Sequence, residues 1–238
     1  LHRMGDVCIM DIALIIPILN EAEGLKVTLP LIPVRLFSEI IIIDGQSKDD
    51  SWGIAKEWCE SNYNAQIYFQ YFPGLAYAVT MGAKIAKADY IVEFSPDGNC
   101  PIEYLYSIVD ELRTGADLVI VSRYKGKGSE DDTLLTKFGN WMFSRVIGTT
   151  DALTMYRGYR KDCLFDPEFI RLCQGPVLEP LVTLWALKKK WKILEIAGHE
   201  PKRIKGYSKM RPFYNGWCIL RMIMKAKLSR FEFGGALP

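Results

Sequence analysis

Two oxygen-bearing side chains, Asp97 and Asn99, lie two positions apart directly after an apolar run. In an extended segment this spacing points both side chains to the same side of the chain. A carboxylate and an amide oxygen suit Mg²⁺ or Mn²⁺, which favour oxygen ligands and usually keep waters or substrate phosphates. Pro96-Asp97-Gly98-Asn99 is also a typical turn sequence. Asp97 and Asn99 are therefore predicted as metal ligands, with an ordinary turn as the alternative.

Asp44 ends a second apolar run, where its carboxylate could accept hydrogen bonds from a base N–H or a ribose hydroxyl. The alternative is an aspartate that shapes a turn or caps a helix. The sequence contains no G-x-x-x-x-G-K-[ST] phosphate loop and no strand-linked G-x-G-x-x-G pattern. A bound nucleotide would therefore need other contacts, and Asp44 is predicted to be one of them.

Basic residues are concentrated towards the end of the chain. From Ala186 onward there are 13 Lys or Arg against 3 Asp or Glu, whereas the first 185 residues have 17 against 25. This distribution indicates that the C-terminal quarter meets an anion such as phosphate, nucleic acid or anionic lipid. Arginine forks match phosphate oxygens, although each single cation could equally be a solvated surface charge. The candidates all lie in the second half: Arg123, Arg157, Arg160, Arg203, Lys205 and Lys209.

The elements that must position these side chains alternate along the first half. Apolar runs of strand length are Ile12–Ile18, Ile40–Ile43, Ala65–Tyr71, Tyr90–Phe94 and Leu118–Ser122. Helices are predicted between them over Ala22–Leu31, Asp50–Glu60, Gly74–Ala86 and Ile102–Thr114. This alternation predicts an α/β fold with an open, mostly parallel sheet and helices on both faces. Ligands bind such sheets beyond the carboxyl ends of the strands, so we expect the polar clusters Pro17–Glu21, Asp44–Ser47 and Ser95–Asn99 to converge there.

The second half is less regular. Helices are predicted over Leu134–Ile147, Leu178–Lys189 and Trp217–Phe231, with a strand over Lys192–Ala197 and a basic loop over Glu200–Arg211. The last helix has basic residues beside one apolar stripe, formed by Trp217, Leu220, Met224, Leu228 and Phe231. Such a helix could pack on the core, or it could lie in a membrane interface and be attracted to anionic lipid.

Composition excludes several classes of protein. With 49% hydrophobic and 24% charged residues, the 238-residue chain is neither disordered nor collagen-like. Six cysteines without a C-x-x-C pair and two histidines give no zinc-site pattern, and scattered thiols are typical of a reducing cytosol. No signal peptide is visible and no run approaches the ~20 apolar residues that span a bilayer, so we expect a cytoplasmic location, at most at the inner face of the membrane. The acidic body and the lack of aromatic interleaving in the basic run argue against nucleic acid.

Motifs in both halves carry a family resemblance. Four motifs in the first half, by their order and spacing, resemble the family 2 glycosyltransferases of the GT-A fold: Pro17–Glu21, Ile43–Asp49, Gly74–Ala78 and Ser95–Asn99. Four in the second half resemble the branch with dolichyl-phosphate mannose synthases and polyprenyl-phosphate glycosyltransferases: Ser122–Tyr124, Phe138–Ser144, Asp151–Arg160 and Arg203–Met210. The resemblance extends from Ile12 to Met210.

The resemblance implies a Rossmann-like, three-layer α/β/α sandwich with a C-terminal basic helical extension. Residues 1–210 would form the GT-A catalytic domain, with a nucleotide-binding half over 1–122 and an acceptor half over 123–210. Residues 211–238 would form the basic amphipathic helix and tail. The implied activity is transfer of a hexose from a nucleotide-diphosphate sugar to a polyprenyl phosphate, assisted by Mg²⁺ or Mn²⁺, with peripheral membrane contact.

Roles for individual residues also follow from the resemblance. Asp97 and Arg123 would be catalytic, and Asp97 and Asn99 would hold the cation. Arg123 and Arg157 would bind the acceptor phosphate. The nucleotide sugar would contact Pro17, Asn20, Glu21, Asp44, Ser47, Gly74, Asp97, Arg203 and Lys209.

Two features depart from the family pattern. Ser95 stands where the family usually has an acid, and a single carboxylate binds a dication less tightly. The second strand ends in Asp44-Gly45-Gln46-Ser47 rather than Asp-Asp-Gly-Ser, so the base preference does not carry over.

The sequence leaves three functional alternatives, which differ in the acceptor and in whether transfer occurs at all. A phosphate acceptor is already an anion and needs no general base. A saccharide hydroxyl acceptor would need one, and the candidate bases are Glu93, Asp151 and Glu179. A catalytically inert protein that binds nucleotide sugars or lipid phosphates is the alternative from another class. The sequence leaves the sugar, the base and the oligomeric state open.

Overall fold

A seven-stranded sheet forms the centre of the protein. The computed structural model describes residues 10–173, 178–204 and 211–228. Seven strands pair in the order β3-β2-β1-β4-β7-β5-β8, and β6 pairs separately with β9. In the large sheet β7 is antiparallel to both neighbours and the other pairings are parallel, which confirms the predicted mostly parallel sheet. The strands are β1 (Ile12–Ile18), β2 (Glu39–Asp44), β3 (Ala65–Phe69), β4 (Tyr90–Glu93), β5 (Leu118–Ser122), β6 (Gly128–Ser129), β7 (Arg157–Arg160), β8 (Ile193–Ala197) and β9 (His199–Glu200).

Isoleucine-rich apolar runs explain the two neighbouring interior strands β1 and β2. Residues 12–16 are at most 1% exposed, and residues 40–43 are at most 2% exposed. Side chains with a branched Cβ fit the pleated backbone of a strand. A parallel sheet covered by helices needs apolar side chains on both faces, which an uninterrupted apolar run supplies.

Helices cover both faces of the sheet, as predicted. Ala13 and Ile15 of β1 belong to a buried cluster with side chains of α3, α5, α6, α7 and α8. The alternate residues Leu14 and Ile16 belong to a second cluster with α1, α2 and α4. The helices are α1 (Ala22–Thr28), α2 (Ser51–Glu60), α3 (Leu75–Ile85), α4 (Glu103–Arg113), α5 (Leu134–Ile147), α6 (Pro167–Leu172), α7 (Glu179–Lys188) and α8 (Pro212–Leu228).

Strand β7 has no counterpart in the sequence prediction. Its residues, Arg-Gly-Tyr-Arg, lack the apolar run of the other strands, yet it inserts between β4 and β5. Gly158 lies tightly under α4, because a Cβ atom there would be 2.5 Å from Ile108 Cγ2 and 2.9 Å from Leu112 Cδ1. Strands β7 and β8 therefore complete the same sheet that the first 122 residues begin.

Helix α8 begins earlier than predicted and packs through a different face. Its buried residues are Ile219, Met222, Ile223 and Ala226, which follow helical spacing. The stripe predicted from Trp217 is wrong as a packing face, since Trp217, Leu220 and Met224 are 56%, 42% and 43% exposed. The Leu228 side chain and Phe231 lie outside the described residues. Nowhere in the described ranges does a helix combine the length and apolar character needed to cross a bilayer.

Candidate active site

A cleft of about 1150 Å³ lies beyond the carboxyl ends of β1, β2, β4 and β5. Members of all three predicted polar clusters line it, which confirms their convergence at this edge of the sheet. Charged side chains of Asp97, Arg123, Glu200 and Arg203 form its base. The predicted residues that line the cleft are Pro17, Glu21, Gly74, Asp97, Asn99, Arg123 and Arg203.

Asp97 and Asn99 form a tight turn that is also part of the cleft wall. The Asn99 N–H donates to Asp97 Oδ1 at 3.0 Å, and both side chains are buried. Gly98 between them has φ +94°, a left-handed conformation that favours glycine. The turn is fixed from outside by Ile204, whose N–H donates to the Asp97 carbonyl at 2.8 Å. The two alternatives predicted for Asp97 and Asn99, a ligand pair and an ordinary turn, are therefore compatible, because both residues lie in one turn of the cleft wall.

The Asn99 amide fits a place beside a divalent cation. Its Oδ1 atom is buried and has no hydrogen-bond partner among the described residues. Its Nδ2 group donates to Glu200 Oε1 at 2.9 Å and to Asp131 Oδ2 at 3.3 Å. An unsatisfied amide oxygen in the same turn as the Asp97 carboxylate matches the oxygen preference of Mg²⁺ and Mn²⁺. Across the described ranges no three His, Cys, Asp or Glu side chains group to hold a metal, so a cation here would need ligands from a bound substrate.

Arg203 contacts the same carboxylate. Its Nη1 atom lies 2.8 Å from Asp97 Oδ2, and its Nε atom lies 3.6 Å from Asp131 Oδ2. The Arg203 N–H also donates to Asp131 Oδ2 at 3.3 Å. Arg203 thus lines the cleft, and its contact with the nucleotide sugar stays a prediction. Lys209, its predicted companion, lies outside the described residues.

Arg123 faces the cleft but is held by three carboxylates. Its Nε and Nη2 atoms donate to Asp151 at 2.7 and 2.9 Å, and its Nη1 atom donates to Glu200 Oε2 at 2.7 Å and to Asp132 Oδ2 at 3.4 Å. Burial alone would lower the pKa of Arg123, but the hydrogen bonds and charge of Asp151, then Glu200 and Asp132, raise this pKa above its usual value. A phosphate that reached Arg123 would have to displace Glu200 or Asp132.

Asp44 shapes a loop and does not face the cleft. It is 0% exposed, and its carboxylate accepts hydrogen bonds from the N–H and Oγ of Ser47. Ser47 Oγ in turn accepts from Asn20 N, and Asn20 Oδ1 accepts from Lys48 N. In this arrangement the Asp44 carboxylate is engaged by Ser47, and its contact with a base or ribose stays a prediction. Asn20 and Ser47 likewise tie the β1 and β2 loops together, and Gly45 lines the cleft instead.

Arg157 is also placed differently from its prediction. It is 0% exposed and lies in the interior between β7 and α7. Its guanidinium donates to the carbonyls of Thr154 and Glu179 and to Thr183 Oγ1, the last two at 2.8 and 3.1 Å. The donors of Arg157 are thus used inside the protein, and its binding of an acceptor phosphate stays a prediction.

The three candidate bases are all buried. Glu93 is fully buried beneath the hydroxyl of Tyr159, and burial, with the charge of Glu179, raises the pKa of Glu93 to about 8. Asp151 is fully buried against Arg123. Glu179 lines the cleft, and burial raises the pKa of Glu179, which the charge of Arg157 partly opposes.

Two groups of cleft residues were missed from the sequence. The sequence analysis places Glu200 in a basic loop and gives no role to Asp131, yet both contact Asn99. The sequence offered one signal for Glu200: it is an acid that follows the end of β8, at Ala197, by three residues. The second group is an apolar wall from α5 and α8, with exposed side chains Leu135, Phe138, Met142, Phe213, Tyr214, Trp217 and Leu220.

Comparisons with known proteins agree with this geometry. A dolichol-phosphate mannosyltransferase from Pyrococcus furiosus is 30% identical over 152 residues, which are 62% of this chain and 41% of that protein. The chain thus matches less than half the length of that relative. A dolichyl-phosphate hexose transferase from Haloferax volcanii is 27% identical over 227 residues, which are 92% of this chain and 94% of that protein.

A solved structure and a family model complete the comparison. Glucosyl-3-phosphoglycerate synthase from Mycobacterium tuberculosis, crystallised with Mn²⁺, UDP-glucose and phosphoglyceric acid, aligns with a TM-score of 0.67 at 17% identity, over 97% of this chain and 86% of that one. This likeness confirms the predicted GT-A fold. The family model described as Glycosyl transferase family 2 matches residues 13–173. The chain therefore belongs to glycosyl transferase family 2 and is a glycosyltransferase.

Proposed function

We propose that this glycosyltransferase moves a hexose from a nucleoside-diphosphate sugar to a polyprenyl phosphate, with a divalent cation at Asp97 and Asn99. The observation that carries the proposal is the polarity of the cleft. The charged side chains that line it are largely buried, and the apolar wall from α5 and α8 is lined with exposed apolar side chains. A lipid phosphate has the same division, because a charged head follows a long apolar chain.

The apolar wall from α5 and α8 also supports contact with a membrane. Besides the cleft wall, Trp141 of α5 is exposed next to Phe138, with ring centroids 5.8 Å apart. Exposed basic residues border the same two helices: Lys137, Arg145, Arg211 and Arg221. Exposed aromatic and aliphatic side chains with basic neighbours are typical of a surface that lies on anionic lipid.

The charges at the base favour departure of the nucleoside diphosphate. In the transfer, an acceptor phosphate oxygen bonds to the sugar C1 while the bond from C1 to the diphosphate breaks and its electron pair leaves with the nucleoside diphosphate. A cation bound at Asp97 and Asn99 supplies positive charge that stabilises this leaving group. Arg203, which pairs with Asp97, would add a second positive charge once the cation has displaced it from that carboxylate. A phosphate acceptor needs no general base, which agrees with the burial of Glu93, Asp151 and Glu179.

Transfer of labelled sugar into an organic-soluble product tests the proposal. A panel of nucleotide sugars is incubated with polyprenyl phosphate and Mn²⁺, and we expect label in the lipid phase for one donor. Asp97→Ala should abolish it, because the variant removes the carboxylate of the proposed cation site. Efficient transfer to a saccharide with none to polyprenyl phosphate would refute the acceptor assignment.

Glu179 supports a second candidate, a hydroxyl acceptor, because it is the base candidate that lines the cleft. General-base catalysis typically contributes 10²- to 10⁴-fold. If a hydroxyl is the acceptor, Glu179→Gln should lower kcat by at least 10²-fold. If a phosphate is the acceptor, the same variant should change kcat less than about threefold.

Vesicle sedimentation tests the membrane surface separately. The double variant Trp141→Asp and Trp217→Asp should bind vesicles that contain anionic phospholipid much less than the unmodified protein does. Tyr63→Asp is the matched control, because Tyr63 is 88% exposed but lies at the amino end of β3, away from the cleft. Equal binding by both variants would contradict the assignment of this surface.

A further inference from the structure

The orientation of the Asn99 amide is fixed by two acids. Its Nδ2 group donates to Glu200 Oε1 at 2.9 Å and to Asp131 Oδ2 at 3.3 Å. An ionised carboxylate only accepts hydrogen bonds, so the nitrogen of the amide must face these acids. The amide is planar, and its Oδ1 atom is therefore turned away from both.

That oxygen is left unsatisfied in the cleft base. Asn99 is 8% exposed, and its Oδ1 atom has no hydrogen-bond partner within the described ranges. An unpaired buried acceptor costs stability, so it calls for a ligand that supplies the missing interaction. The Asn99 backbone N–H donates a hydrogen bond to Asp97 Oδ1 at 3.0 Å, which keeps the two oxygen-bearing side chains in one turn.

The two acids are held together by the small sheet of β6 and β9. Ser129 of β6 pairs with Glu200 of β9, and the Glu130 N–H donates to the Glu200 carbonyl at 2.9 Å. Asp131 follows immediately, so the backbone places both carboxylates next to the same amide. Glu200 is further anchored by its second oxygen, Oε2, which accepts from Arg123 at 2.7 Å. This small sheet therefore determines which way the Asn99 amide points.

We infer that Glu200, together with Asp131, is a positioning residue for the cation site, which holds the Asn99 amide so that Oδ1 is presented to the cation at Asp97. The inference rests on the proposed function, which brings a cation to Asp97. Glu200 acts through Asn99 and does not itself bind the cation. Hydrogen-bond partners of this kind set the orientation of a metal ligand, and losing one typically lowers metal affinity 10- to 100-fold.

A double-mutant cycle on Mn²⁺ affinity separates positioning from a general charge effect. Affinity is measured by water proton relaxation in the presence of UDP or GDP, whichever raises the melting temperature of the protein. Glu200→Ala should weaken Mn²⁺ binding at least 10-fold. In an Asn99→Ala background the same change should add less than about threefold, because the amide through which Glu200 acts is gone. Glu130→Ala, which removes an exposed acid from the same loop, should change Mn²⁺ affinity less than about threefold.

Three results would overturn the inference. One is a Glu200→Ala variant that binds Mn²⁺ within threefold of the unmodified protein. Another is an effect of Glu200→Ala that persists in full beside Asn99→Ala, which would be through-space electrostatics. An unmodified protein that binds no Mn²⁺ with either nucleotide would overturn the proposed cation as well, whereas the first two leave the proposed function intact. If Glu200→Ala does not unfold cooperatively, Asp131→Ala takes its place in the cycle.

Discussion

Arg203 and a divalent cation are expected to compete for the Asp97 carboxylate. The Arg203 Nη1 atom lies 2.8 Å from Asp97 Oδ2, and the side chains are 19% and 8% exposed. Any cation that uses this oxygen must displace the guanidinium group. Arg203 would stay attached to the loop through Asp131, which contacts both its Nε atom and its backbone N–H.

The size of the competition follows from the bond that must break. A hydrogen bond to a charged group is worth about 1.5–3 kcal/mol, and about 1.4 kcal/mol corresponds to tenfold in affinity. Arg203→Gln removes the competing charge, so Mn²⁺ alone should bind roughly 10- to 100-fold more tightly. The same variant should bind the nucleotide sugar more weakly, because Arg203 is a proposed contact of the diphosphate.

The measurement is decisive because Arg203→Gln should raise the affinity for Mn²⁺ and lower the affinity for the donor. Free Mn²⁺ is followed by electron paramagnetic resonance without nucleotide, and donor binding is then measured by calorimetry with Mn²⁺ present. Lys202→Gln, an exposed cation one residue earlier, is the matched control and should change neither affinity appreciably. Unchanged or weaker Mn²⁺ binding in Arg203→Gln would refute the reasoning.

Two further variants test the interior around β7. Arg157→Met leaves the buried Thr154 carbonyl without its donors and takes one donor from the Glu179 carbonyl, which still accepts from Thr183 Oγ1 at 3.2 Å. At about 1–3 kcal/mol for an unsatisfied buried group, a loss of about 2 kcal/mol should lower Tm by about 4–8 °C, while the acceptor KM stays constant. A raised KM with an unchanged Tm would contradict the structural role. Glu93 keeps a proton when folded that the unfolded chain releases above pH 4.5, so its contribution to stability falls as pH rises from 4.5 to about 8. Glu93→Gln should flatten this slope of unfolding free energy, measured with urea, and identical slopes would contradict the buried, protonated form.

The sheet was predictable because its strands are marked by a local signal. Continuous apolar runs such as Ile40–Ile43 are incompatible with an exposed face, and the structure buries them as expected. Strand β7 has no such signal, because its pairing depends on Gly158 fitting beneath α4 and on neighbours distant in sequence. The packing face of α8 was missed for a related reason: the helix is apolar on more than one side, so spacing alone does not identify which side is buried.

At the site, too, features set by local sequence were predicted, and features set by residues distant in sequence were not. Asp97 and Asn99 are fixed by a turn of three residues, and local sequence specifies that turn well. Asp44 and Arg157 have the residue types that bind nucleosides and phosphates, but residue type does not reveal the direction of a side chain. Both point inward, and there their polar groups satisfy other parts of the protein.

The charge balance at the base of the cleft bears on the proposed cation. Among the described residues, Arg123 and Arg203 contact five carboxylates, those of Asp97, Asp131, Asp132, Asp151 and Glu200. The two guanidinium groups are therefore outnumbered, and a diphosphate that entered alone would meet a surplus of negative charge. A dication held at Asp97 and Asn99 would offset this negative charge and would leave Arg203 available to the diphosphate. Mn²⁺ and donor should consequently bind with positive coupling to the unmodified protein, so each should raise the protein's affinity for the other by the same factor.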